Sequence, residues 1–254
     1  MTERMAGHNK WSKIKRKKGA NDAKRSKMFS RVIKEITVAV KEGGSPDPEF
    51  NPRLRLAVAN AKGINMPKDN IERAIKKASD SDAADYLQPT YEGYAPGGVA
   101  VFVEATTDNI NRTVASVRSI FNKYGGNLAT NGSVDFLFER KGVFVVPLDE
   151  HQRETLELEL IDGGAEDLEV DTENDEIIIT VDFPDFGNMQ KKLEELSIEA
   201  KNANLERIAI TTTELPLQEA QKALTLIEQL EDDDDVQAVY HNLEMTDELE
   251  AALA

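Results

Sequence analysis

Two apolar periodicities divide this chain. From about residue 21 to residue 79 the apolar residues recur at spacings of three and four, which puts them on one face of a helix. After about residue 85, short β-branched and aromatic runs alternate with further helical stretches. That change predicts helices first and α+β layers after them.

In the first region, Met28, Phe29, Val32, Ile33, Ile36 and Val40 make one face of a long helix beginning near Asn21. Gly43-Gly44-Ser45-Pro46 ends it, and Pro48 keeps the loop irregular. Asn51-Pro52 reads as a cap with proline in the first turn. A second helix carries Leu54, Ala57, Val58 and Ala61 and stops at Gly63. Pro67 opens a third, with Asp69 near its positive end and Ile71, Ala74, Ile75 and Ala78 on its apolar face. Three short helices, each with one apolar stripe, predict a small bundle.

Beyond the polar segment Ser79–Asp85, Val99–Ala105 reads as a strand. Thr107-Asp108-Asn109 caps a helix with Val114, Val117, Ile120 and Phe121, ended by Tyr124–Asn127. Val134–Phe138 alternates like a strand, and Lys141-Gly142 reads as a hairpin turn into Val143–Val146. Then come a helix Glu150–Asp162, strands Leu168–Val170 and Ile177–Val181, and a helix Phe186–Asn202. A strand Ile208–Thr212, a helix Leu217–Leu230 and a strand Val236–Tyr240 complete the series. The expectation is an α+β multidomain fold. An N-terminal three-helix domain is followed by two α+β domains on a ferredoxin-like plan, one inserted in the other. The expected divisions are 1–20 as a basic mobile arm, 21–79 as the helical domain, 80–139 plus 206–245 as one α+β domain, 140–205 as the inserted one, and 246–254 as a tail.

Charge follows the same division. The chain has net charge −16, yet residues 1–80 sum to +11 and the remainder to −27. The bases concentrate in Gly7–Lys34: Lys10, Lys13, Lys15, Arg16, Lys17, Lys18, Lys24, Arg25, Lys27, Arg31 and Lys34, with Asp22 the one acid among them. A basic arm on an acidic body points to a polyanionic partner, nucleic acid first, because Lys and Arg on phosphates release condensed counterions. From Met5 to Gly19 the only large apolar residues are Trp11 and Ile14, too few to offset the entropy of ordering that stretch. Further on, Lys24, Lys27, Arg31, Lys34 and Lys41 fall roughly opposite the apolar face of the long helix. A solvated stripe normally mixes signs, and this one is almost without acids.

The residues also exclude much. Without cysteine there is neither a disulfide framework nor a thiolate metal site. No apolar run is long enough to span a bilayer, and the start lacks the apolar core of a secretory signal, so a cytoplasmic location is expected. His8, His151 and His241 make no HExxH, and nucleophile-elbow, dinucleotide and phosphate-loop signatures are missing. No enzyme activity, cofactor, metal or small-molecule substrate is expected.

Some stretches keep two readings. Trp11 either stacks on an unpaired base or packs back as an anchor. Gly63–Asn70 either brings a helix N-terminus to a phosphate or simply connects two helices. Tyr91–Gly98 reads as a shaped loop approaching a strand, with a partner surface as the alternative. The acid run Asp232–Asp235 reads as a solvated turn, with divalent-ion binding as the alternative.

The segments GHNKWSKIKRKKGANDAKRSKMFSR, RLRLAVANAKGINMPKDNIERAIKK and YEGYAPGGVAVFVEATTDNINRT resemble the YebC family, nearly end to end from Met5. The resemblance implies an N-terminal helical domain, two α+β domains and no enzyme activity. It implies a transcriptional regulator that binds DNA, or a translation factor acting at the ribosome. The expected function is therefore a nucleic-acid-binding regulator of gene expression. Ribosome-associated binding of ribosomal RNA is one alternative and a protein-interaction scaffold a more distant one. The bases expected to meet nucleic acid are those of Gly7–Lys34, with Trp11, Lys68, Arg73, Lys76 and Lys77.

Overall fold

The computed structural model of the protein describes residues 22–80, 83–148, 153–172 and 174–253. Three helices come first: α1 (Asp22–Gly43), α2 (Pro52–Gly63) and α3 (Lys68–Ala78). Then follow β1 (Thr90–Tyr94), β2 (Ala100–Ala105), α4 (Ile110–Lys123), β3 (Asn127–Leu128), β4 (Phe138–Pro147), α5 (Arg153–Asp162), β5 (Ala165–Asp171), β6 (Glu176–Asp182), α6 (Phe186–Glu195), β7 (Asn202–Ala209), α7 (Leu217–Glu231), β8 (Val236–His241) and α8 (Asp247–Leu253). The fold is α+β and multidomain. Two compact units account for it. One holds the described residues of Met1–Lys34, Ala84–Glu139 and Ile208–Ala254; the other holds Glu35–Ala83 and Arg140–Arg207.

The first unit is built on the sheet β3-β1-β2-β8. β1 pairs antiparallel with β2 and with β3, and β2 pairs antiparallel with β8. β2 and β3 therefore run the same way, with α4 between them in sequence. This is the strand order of a ferredoxin-like sheet in which β1 comes before β2 instead of after β3. Tyr91, Val101, Val103, Val236 and Val239 share a core with Val117 and Phe121 of α4 and with Leu226, Ile227 and Leu230 of α7. Alternate residues Ala100, Phe102 and Tyr240 join Val134, Phe138 and Ala209 in a second core. Burial on both faces explains why β2 reads as an apolar run, Ala100–Val103, interrupted only at Glu104 before Ala105.

In the second unit β4-α5-β5-β6-α6-β7 forms the sheet β5-β6-β4-β7, the full βαββαβ plan. Phe144, Val146, Ile177, Ile179 and Val181 meet Leu156 and Leu160 of α5 and Met189 and Leu193 of α6. Asn51 joins two helices of this unit. Its Oδ1 accepts from the Leu54 N–H at 3.0 Å, while its Nδ2 donates to Ala39 O at 2.7 Å and Ser45 O at 2.9 Å. One buried amide thus caps the start of α2 and satisfies a carbonyl of α1. On α2, Asn60 exchanges two hydrogen bonds with the backbone of Ala203, on the edge strand β7. The side chain gives that edge the partner a further strand would give.

Several boundaries differ from the sequence reading. Val134–Phe138 is not a strand. Asp135–Leu137 is a single 3₁₀ turn, and Phe136 is 68% exposed. The buried Glu92 carboxylate accepts the N–H groups of Gly132, Val134 and Asp135 at 2.6–3.0 Å, so two of these donors are withdrawn from any ladder at that point. Lys141-Gly142 is not a turn either; β4 runs straight through it, with Lys141 opposite Asp182. Lys141 is buried between Glu166 and Asp182, each at 2.5 Å. Burial would lower its pKa, but hydrogen bonds from the ammonium to the two carboxylates raise it above the usual lysine range. The first half of the glycine-rich approach Tyr91–Gly98 is β1 itself, and Pro96–Gly98 forms a 3₁₀ turn. α6 stops at Glu195, well short of Asn202, because Ser197 turns left-handed (φ 57°) and the Ile198 N–H closes on Leu193 O at 2.9 Å. The strand expected at Ile208–Thr212 is β7, which starts earlier and ends at Ala209. The residues read as a tail form α8, with Leu249 in the first core.

Gly93 fixes how closely α4 lies on its sheet. A Cβ there would sit 2.6 Å from Asn127 O and 2.7 Å from Cε1 of Phe121. Gly93→Ala is expected to destabilise the protein by about 2–3 kcal/mol in denaturant unfolding, the cost of overpacking against backbone. A change below about 0.5 kcal/mol would show that the helix yields.

Candidate nucleic-acid interface

Of the bases singled out from sequence, Lys10, Lys13, Lys15, Arg16, Lys17 and Lys18, together with Trp11, lie outside the described residues. Lys24 falls within α1. Arg25 is exposed, its guanidinium 5.7 Å from the centre of the Phe29 ring.

Lys27, Arg31 and Lys34 stand at positions i, i+4 and i+7 of α1 and share one stripe. That stripe was expected to face outward as open positive charge. It does not: all three side chains reach the C-terminal end of α7 and the turn after it. Lys27 Nζ donates to Asp232 O at 2.7 Å and to Asp232 Oδ1 at 2.9 Å. Arg31 donates to Glu231 O. Lys34 Nζ donates to Asp234 O at 2.8 Å, Thr106 O at 3.0 Å and Asp235 Oδ1 at 3.0 Å, and lies 5.8 Å from the Tyr86 ring centre. The last carbonyls of a helix carry the negative end of its dipole, so these acceptors suit cations even before the carboxylates are counted. Lys41 is also engaged, donating to Ala83 O.

The acid run is therefore not a simple solvated turn. Asp235 is buried, and its Oδ2 accepts from Arg112 at 2.8 Å, from Thr113 Oγ1 at 2.8 Å and from Thr107 Oγ1 at 3.2 Å. Burial acts to raise the pKa of this carboxyl, but hydrogen bonds from Arg112, Lys34 and Thr113, with the Lys34 charge, bring it down to about 2. It is ionised throughout the neutral range. Among the described residues no group of three or more acids and histidines could hold a metal ion.

Sequence reasoning missed this junction. Thr107 reads as part of a helix cap, Arg112 and Thr113 are not singled out by any local pattern, and nothing local ties Lys34 to Asp235 across the length of the chain. The weak signal was the opposite sign of two unusually concentrated charge runs.

In the second unit, α3 buries Ile71, Ala74 and Ala78 and turns its bases outward. Lys68 pairs with Glu72 at 3.6 Å, both side chains exposed. Arg73, Lys76 and Lys77 are exposed and make no ion pair among the described residues. The loop before α3 is a tight connection. Asn65 adopts φ 57°, Met66 is buried, and a Cβ on Gly63 would collide with Lys201 O.

Among the described residues no helix is long and apolar enough to cross a membrane. Comparison with known proteins covers most of the chain. A family model for the TACO1/YebC protein N-terminal domain matches residues 9–81, and one for the TACO1/YebC second and third domain matches residues 86–243. A curated relative from Amoebophilus asiaticus, named a probable transcriptional regulatory protein, is 54% identical over 240 residues, covering 94% of this chain and 98% of its own. One of the same name from Rubrobacter xylanophilus is 49% identical over 252 residues, 98% of this chain and 100% of its own. The crystal structure of a conserved hypothetical protein from Aquifex aeolicus superposes with a TM-score of 0.78 at 45% identity, covering 89% of this chain and 93% of its own.

Proposed function

Because this chain belongs to the TACO1/YebC family, whose curated members are named regulatory proteins and not enzymes, we propose that it is a cytoplasmic, nucleic-acid-binding regulator of gene expression. The observation that carries the reading is the separation of charge, +11 in residues 1–80 against −27 in the rest. In this reading the arm 1–20 and the helical domain 21–79 meet the polyanion, with Arg73, Lys76 and Lys77 on the outer face of α3 as a second point of contact. The acidic α+β parts, 80–139 with 206–245 and the inserted 140–205, repel a phosphate backbone and so orient the molecule on it. Two targets fit. Transcriptional regulation on DNA follows the names of the relatives. The arm is rich in Lys and poor in base-edge readers, which favours backbone contacts and suits structured RNA on a ribosome equally well.

Affinity for a DNA duplex and for an RNA hairpin, measured by fluorescence anisotropy across a salt series, tests the proposal. The logarithm of the binding constant is expected to fall linearly with that of salt, by roughly 0.7 to 0.9 per phosphate neutralised. A salt-independent affinity sinks it. Crosslinking in cells followed by sequencing then separates the targets. Hits in discrete promoter DNA make the protein a transcriptional regulator; hits in ribosomal RNA make it a translation factor.

A further inference from the structure

The stripe on α1 is held by the turn Glu231–Asp235, and the proposed function brings the phosphates of a nucleic acid to the same bases, which cannot satisfy both with the same atoms. We infer that this turn is a built-in competitor, which occupies Lys27 and Arg31 until a polyanion displaces it.

The contact is graded along the helix. At its inner end, Lys34 and Asp235 keep only 15% and 11% of their side-chain surface exposed, and Arg112, Thr113 and Thr107 hold the carboxylate from the other side. Moving that pair apart would strand a buried charge. At the outer end, Lys27 and Asp232 remain 36% and 57% exposed, and an ion pair so open to water is weak and screened by salt. Between them Arg31 donates to the carbonyl of Glu231, on the same outer part of the stripe. The outer bases can therefore exchange partners while Lys34 keeps α1 in place. A polyanion must exceed the local acid to engage them, so the turn sets a threshold that selects partners of high charge density. This inference rests on the nucleic-acid reading above and adds a mechanism to it.

Carbodiimide crosslinking reads the exchange directly. Asp232 and Lys27 lie close enough to condense to an amide, the carbodiimide taking up the water lost and leaving as its urea. The Lys27–Asp232 product and, as a reference with an exposed carboxylate in the other unit, the Lys192–Asp162 product (3.1 Å apart) are quantified by mass spectrometry in the full-length protein, alone and saturated with an RNA hairpin or a DNA duplex. Both products are expected in the free protein. On saturation the first should fall several-fold while the second persists. Asp232→Asn should tighten binding about two- to five-fold, the worth of one exposed pair. Glu214→Gln, which removes the same charge from an exposed position elsewhere in the unit, should not. A Lys27–Asp232 yield unchanged by bound nucleic acid overturns the competitor and leaves the proposed function standing, as does its absence from the free protein. Failure of both the natural chain and the Asp232→Asn variant to bind either nucleic acid overturns the proposed function itself.

Discussion

Replacing Lys15, Arg16, Lys17 and Lys18 together by Glu is expected to lower affinity for an RNA hairpin or DNA duplex on the order of 10³-fold near 0.1 M salt. Each neutralised phosphate contributes roughly a five- to eightfold factor at that salt, and four are lost before the added repulsion is counted. The salt slope should flatten by about 3 in the same experiment. Thermal unfolding of the variant is measured alongside, so that a loss caused by unfolding is recognised. Affinity retained within about threefold would move the binding surface away from the arm and favour the scaffold alternative.

The second large effect is on stability. Asp235→Ala is expected to destabilise the protein by about 3 kcal/mol at neutral pH, because it leaves Lys34 half-buried without its carboxylate and removes the acceptor of Thr113. In a chain of this size that lowers the melting temperature by roughly 6–12 °C. Acid should produce the same loss without mutation. The carboxyl titrates near 2 in the folded protein against an ordinary value of 3.8. A depressed pKa gives stability that is complete above the unfolded value and lost as pH falls through the folded one. The window is therefore pH 4 to 2, and about 2 kcal/mol disappears across it. Asp235→Asn and the natural chain should differ at pH 7 and converge toward pH 2. A difference that stays constant over that range would mean that the carboxylate charge is not what holds the junction.

Much of the fold was legible in sequence because its signals are local. Gly43-Gly44, Asn51-Pro52 and Thr107-Asp108-Asn109 are turn and cap chemistry, and they act within a few residues. The failures share a different cause. Val134–Phe138 has the apolar, aromatic character of a strand, yet the amides of Val134 and Asp135 are claimed by Glu92, a carboxylate some forty positions earlier. Lys141-Gly142 looks like a turn until Asp182 arrives on the paired strand β6 and Glu166 on β5 beyond it. β1 is hidden by Gly93, which is small because a ring of Phe121 lies over it. The candidate site follows the same rule. The concentration of bases on α1 is plain in the sequence, but their engagement with α7 is a tertiary event that no window of residues contains.

The insertion imposes an order in time. β2 is synthesised early, and its partner β8 only after the whole βαββαβ unit has been made. On a ribosome adding roughly 5–20 residues each second, the first sheet waits several seconds with one edge of β2 unpaired. The inserted sheet draws all four of its strands from one continuous stretch and can close while that wait lasts. The late arrival of α7 and β8 then completes the first core, and the same step delivers Asp235 to Lys34. The junction at the basic helix thus forms only once α7 and the turn after it have been made, so products truncated before Glu231 would carry the basic stripe of α1 without its acidic counterpart.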